Sequence, residues 1–168
     1  DMNPPPLDSA QPESVTSPGL NDSQSPRPGS VLIVGCGYLG QRIALQLIRQ
    51  GREVHGTTRS PAKADHLRTL GITPVVTDLT VSIEDAPLPR VAGAIYCVGY
   101  DRSSGLPQRA VVVDALSAAL PRLRAQADKL AVAGTIGVMG GTQGEWVDET
   151  TTAPPLTESG RLHAEAER

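Results

Sequence analysis

Past residue 30 the chain switches between two hydrophobic rhythms. Short unbroken apolar runs predict buried strands, and apolar residues three and four apart predict helices. VLIV at 31–34 is the first strand. Leu39, Ile43 and Leu47, with Ala44 and Ile48 beside them, form one apolar helix face, which Gly51 ends as a C′ glycine. EVHG at 53–56 is the second strand. Ser60-Pro61 supplies an N-cap and a first-turn proline for a short helix that stops at Gly71. TPVV at 73–76 is the third strand and VAGAIYCV at 91–98 the fourth. Pro107 opens a long helix that Pro121 should kink or divide, because proline has no N–H to donate. KLAVAG at 129–134 is the fifth strand, and TESGRLHAEAER starts a last helix.

Strands that alternate with helices need right-handed crossovers, which give a parallel sheet covered on both faces. The expected fold is α/β, a doubly wound parallel sheet in the order 3-2-1-4-5. A ligand site then belongs at the carboxyl edge, where the order reverses between strands 1 and 4. The outer edge at KLAVAG is expected to be exposed, which leaves a homodimer open.

Residues 1–29 break from this pattern. They are rich in Pro, Ser, Asp and Gln, and are expected to form a disordered arm, since they bury too little apolar surface to offset the entropy of ordering. The chain has 168 residues, enough for one core. Its net charge of -3 disfavours nucleic acid as a partner. Aromatic residues make up 2% and Phe is absent, so the core must be aliphatic. The two cysteines, Cys36 and Cys97, fit reduced thiols in a cytoplasmic protein. Neither a signal peptide nor a membrane span is expected.

The chemistry starts at VLIVGCGYLG. Gly35 permits a tight turn out of the strand, Gly37 removes a side chain where a pyrophosphate must approach, and Gly40 lets the helix pack on the sheet. Tyr38 and Leu39 open the helix, whose free N–H groups and dipole favour an anion. A strand before this turn and an amphipathic helix after it point to a dinucleotide. At the end of the second strand an NAD site carries an acid for the ribose 2′-hydroxyl. Here the segment is HGTTRS. Thr57, Thr58 and Arg59 suit a 2′-phosphate instead, so NADP is expected first and NAD second.

Three further stretches carry a resemblance. TDLT (77–80), YCVGY (96–100) and TIGVMGG (135–141) followed by GEWVDE (144–149) resemble segments of the atypical and extended short-chain dehydrogenases/reductases, the NAD-dependent epimerase/dehydratase group. The resemblance covers 31–168 and implies a Rossmann-type domain over 30–168. By it, Asp78 and the backbone of Leu79 would hold adenine, and Val98 and Gly99 would line the cofactor. Its catalytic hydroxyl falls on Thr135. The family's Tyr-x-x-x-Lys motif falls on Ser159 and His163, so neither member of that pair is kept. Met139 replaces a family tyrosine. Asp148 and Glu149 match a family signature, Trp146 is expected to anchor its loop, and Tyr100 and Asp101, placed after strand 4 where they could reach the nicotinamide side of the site, read first as loop residues.

The resemblance also implies an incomplete domain. The chain stops inside the helix that carries the catalytic motif, so the later strands and a substrate lobe are expected to be missing. Two functions stand side by side. One is an NADP-dependent oxidoreductase or sugar-nucleotide epimerase-like enzyme that acts on a small molecule. The other is a dinucleotide-binding sensor or scaffold without chemistry.

Overall fold

The computed structural model of this chain describes residues 29–81, 86–140, 144, 146–148, 150–151 and 154–168. The expected arm at 1–29 lies outside the described residues except for Gly29, as do Gly141, Glu145 and Glu149.

Five parallel strands form one sheet: β1 (Val31–Val34), β2 (Val54–Thr58), β3 (Thr73–Val76), β4 (Gly93–Tyr96) and β5 (Leu130–Val132). Their order is β3-β2-β1-β4-β5, as the alternating pattern predicts. The register sets Val31 against both Val54 and Gly93. All of β1 is buried, because a central parallel strand is covered on both faces. Its side chains alternate between two cores. Val31 and Ile33 pack with Ala44, Leu67 and Ile72 on one face. Leu32 and Val34 pack with Leu116, Ala119 and Leu123 on the other.

The first core is covered by α1 (Tyr38–Arg49) and α2 (Pro61–Thr69). Leu39 leaves the expected apolar face: it is 47% exposed, and Gly40 meets the strand in its place. Ser60 caps α2 by accepting from the Lys63 N–H at 3.4 Å, and Pro61 stands in the first turn. β2 runs two residues further than expected, through Thr57 and Thr58, because both pair with β3.

The second core is covered by a helix that starts at residue 108, passes a π-turn at Ala110–Asp114 and continues as α3 (Ala115–Gln126). Pro121 does not divide it. Ser117, whose carbonyl loses its partner there, is exposed, as is Pro121, so water can satisfy the freed oxygen. A 3-10 turn (Ile136–Met139) and α4 (Glu158–Ala166) follow β5. They meet at Gly160, where any side chain would collide with the Gly137 carbonyl. β5 pairs with β4 alone among the described strands, and Val132 is 44% exposed. No helix among the described residues is long and apolar enough to cross a membrane.

Candidate functional site

The carboxyl ends of β1 and β4 meet where the strand order reverses, and there the chain makes its glycine turn. Gly35 has a φ of +84°, and a Cβ on it would lie 2.9 Å from the Cα of Val98. β2 clamps this turn. The Gly35 N–H donates to Thr57 Oγ1 at 2.7 Å, and the Cys36 N–H donates to the Thr57 carbonyl at 2.9 Å. Thr57 is 2% exposed. Its hydroxyl holds the turn as an acceptor.

Gly37 and Gly40 are glycines for different reasons. A Cβ on Gly40 would lie 2.7 Å from the Gly35 carbonyl and 2.8 Å from the Ile33 side chain, so the fold itself forbids one. A Cβ on Gly37 would meet nothing within 4 Å, and its φ is -86°. Its bare backbone opens on the cavity. The first helical bond of α1 runs from the Gln41 N–H to the Gly37 carbonyl. The N–H groups of Tyr38, Leu39 and Gly40 therefore have no carbonyl four residues back within the helix. No side chain caps this end.

A cavity of about 500 Å³ lies beside this turn. Eight of the eleven residues expected at a cofactor line it: Gly35 and Gly37 from the turn, Thr58 and Arg59 from the end of β2, Asp78 and Leu79 after β3, and Val98 and Gly99 after β4. The other three, Tyr38, Leu39 and Gly40, form the first turn of α1. Two more charged residues complete the wall: Lys63 from α2, which sequence reasoning missed, and Asp101 from the loop after β4. The N-cap spacing that puts Lys63 one turn after Ser60 was the signal for the first.

Hydrogen bonds orient both carboxylates. Asp78 Oδ1 accepts from the Thr80 N–H at 2.9 Å and from its hydroxyl at 2.7 Å. Burial pushes this carboxyl upward, but the bonds from Thr80 and the Arg59 charge outweigh it and hold it below the ordinary carboxylate range. Asp101 Oδ1 accepts from the Ser103 N–H at 2.9 Å and its hydroxyl at 2.7 Å. Those bonds, then the charges of Arg59 and Lys63, hold Asp101 low as well. Cys36 and Cys97 lie on the cavity floor as free thiols. Burial, and then the neighbouring Cys97, push Cys36 up to about 11. Burial also raises Cys97.

The residues expected to carry catalysis are elsewhere. None of Thr135, Ser159 and His163 lines this cavity. Thr135 caps the 3-10 turn, its Oγ1 accepting from the Gly137 N–H at 3.3 Å. Ser159 Oγ accepts from Gln108 Nε2 at 2.7 Å, which ties α4 to the start of the preceding long helix. His163 lines a second cavity of about 690 Å³ between α3, β4, β5 and α4. Tyr96 also lines it; its hydroxyl is buried without a partner among the described residues, and burial pushes it up to about 12. Val98 lines both cavities. Asp148 closes a local turn with Thr150 and Thr151. Trp146 is fully exposed, so it does not anchor its loop as expected.

Solved structures share this architecture. The chain is similar to a conserved protein of unknown function from Silicibacter pomeroyi, with 30% identity and a TM-score of 0.62 over 83% of this chain and 47% of that one. A short-chain dehydrogenase/reductase superfamily protein from Agrobacterium tumefaciens, solved with bound NAD, matches at 20% identity and a TM-score of 0.60, over 82% of this chain and 43% of that one. The ADP-L-glycero-D-manno-heptose-6-epimerase of Helicobacter pylori matches at 15% identity and a TM-score of 0.65, over 83% and 49%. This chain shares their Rossmann-type fold, a doubly wound parallel sheet. It spans about half the length of the structures it matches. No protein-family model matches the sequence, and no curated protein matches it. The doubly wound architecture accounts for the cavity at the reversal point.

Proposed function

We propose that this cavity binds a nicotinamide dinucleotide, with NADP preferred to NAD. The observation that carries the reading is Gly37. The fold leaves room for a side chain there, so the glycine answers to something outside the chain. The pyrophosphate would rest against Gly37 and the free N–H groups of Tyr38, Leu39 and Gly40. Asp78 and Leu79 would hold the adenine, while Val98 and Gly99 would line the cofactor. When bound, the nicotinamide supplies reversible hydride transfer. The preference for NADP rests on Thr58 and Arg59 in the cavity, and on the absence of an acid at the end of β2.

The activity that goes with this is that of an oxidoreductase or a sugar-nucleotide epimerase-like enzyme. The similarity to an epimerase and to a structure solved with NAD supports that lineage. A second reading, a dinucleotide sensor or scaffold, has its own support. Thr135 and Ser159 spend their hydroxyls on local structure, and His163 faces another cavity. A serine hydroxyl does not exchange protons usefully near pH 7, unlike a phenol beside a cation. NADPH titration followed by turnover assays on carbonyl compounds and sugar nucleotides separates the two. Turnover supports the enzyme, and binding without turnover supports the sensor. Absence of binding to either dinucleotide overturns both.

A further inference from the structure

The long helix before β5 begins between the two cavities. Val111 lines the cavity beside the glycine turn, and Val112, the next residue, lines the second one. Both belong to the π-turn Ala110–Asp114. Polar contacts fasten the start of this turn to α4. Gln108 Nε2 donates to Ser159 Oγ at 2.7 Å. The Arg109 guanidinium forks onto the Glu165 carboxylate, Nη1 donating to Oε2 at 2.9 Å and Nη2 donating to Oε1. Arg109 Nε also lies 3.7 Å from Asp114 Oδ1. These two stand at i and i+5, the hydrogen-bond spacing of a π-helix, whereas an α-helix brings i+3 and i+4 together. One guanidinium therefore spans the π-turn and ties it to α4. α4 packs on this turn, yet none of its described residues lines the cavity beside the glycine turn.

We infer that Arg109 and Glu165, with Gln108 and Ser159 beside them, are positioning residues for the cofactor: they hold the π-turn, and the π-turn holds Val111 on the cavity wall. The inference rests on the dinucleotide reading above, and it gives α4 a hold on that site without contact. A π-turn is an uncommon form of helix that occurs as single turns. The same residues can rewind as α-helix, which has fewer residues per turn and so rotates the side chains within the turn. Val111 and Val112 then leave their places on the two walls. Contacts that exist only in the π form raise its share of the population. The effect runs both ways. A ligand seated against Val111 favours the form that puts it there, so it tightens α4 by the same free energy with which α4 tightens the ligand. The clamp is exposed, so that energy is small and screened by salt.

Arg109 and Glu165 are exposed, so changing them leaves the cores intact. The test combines NADPH titration with amide hydrogen exchange on the full chain and on its R109M, E165M and R109M/E165M variants. Each single variant should weaken NADPH by about threefold, the range of an exposed ion pair, and should speed exchange over 110–114. The double variant should bind no more weakly than R109M, because its second substitution removes a contact that the first has already broken. In the unmodified chain NADPH should slow exchange over 158–166 as well as over 110–114, a coupling that a merely structural clamp would not show. Single variants that bind like the unmodified chain overturn the inference. So do losses that multiply in the double variant, or exchange over 158–166 that NADPH leaves unchanged. Those failures are distinct from failure of the cofactor reading, in which the unmodified chain binds neither dinucleotide and the inference falls with it.

Discussion

Thr57 shows how one residue can shape a site. Its place beside Thr58 and Arg59 suggests a phosphate ligand, yet its hydroxyl accepts the Gly35 N–H and its carbonyl accepts the Cys36 N–H. β2 thereby shapes the turn. Thr57→Val keeps the shape but removes the acceptor, which leaves a buried N–H unpaired. It should cost about 1–3 kcal/mol, measured by urea unfolding. A variant as stable as the parent would mean that the turn holds itself. The glycines were legible from spacing alone, because each role follows from a local turn. Lys63 was missed, although the Ser60 cap was a signal for it. The clamp by Thr57 was not legible, because it joins β2 to a turn 22 residues away in sequence.

Among the elements, the strands and their order could be read because an aliphatic run buried on both faces has few alternatives in a parallel sheet. The long helix before β5 was harder. The sequence placed its irregularity at Pro121, whereas the chain stays helical there and widens into a π-turn at Ala110–Asp114. A proline costs a helix little extra when the orphaned carbonyl meets water, and Ser117 is exposed. The remaining cost should still be recoverable. Pro121→Ala should raise stability by about 1–3 kcal/mol, since alanine restores the N–H and the better propensity. An unchanged or lower unfolding midpoint would mean that the proline is matched to a bend the helix needs. α4 was predicted correctly as a helix, and within it Ser159 accepts from Gln108 while His163 lines the second cavity. A one-dimensional motif fixes spacing along a helix but not which cavity the helix faces.

At the scale of the whole molecule, two buried weak acids set an alkaline limit. Cys36 moves from 9.0 to about 11 on folding, and Tyr96 from 10.0 to about 12, both through burial. Their folded values are raised, so the stability from keeping them neutral is complete below pH 9. It falls as pH rises through about 11 and then about 12. Thermal unfolding midpoints measured from pH 8 upward should decline over this window, and Cys36→Ala should flatten the first part. A midpoint that holds level to pH 12 would contradict this.

The central claim is that the cavity beside the glycine turn is built for a dinucleotide. The most direct measurement is NADPH binding by the unmodified chain and by Gly37→Ala, with unfolding midpoints recorded for both. The fold has room for the added methyl, so stability should change by no more than about 0.5 kcal/mol. Binding should weaken by at least about tenfold, because the methyl stands where the pyrophosphate must come close. Equal NADPH affinity in the two proteins, or no binding by the unmodified chain, would contradict the account.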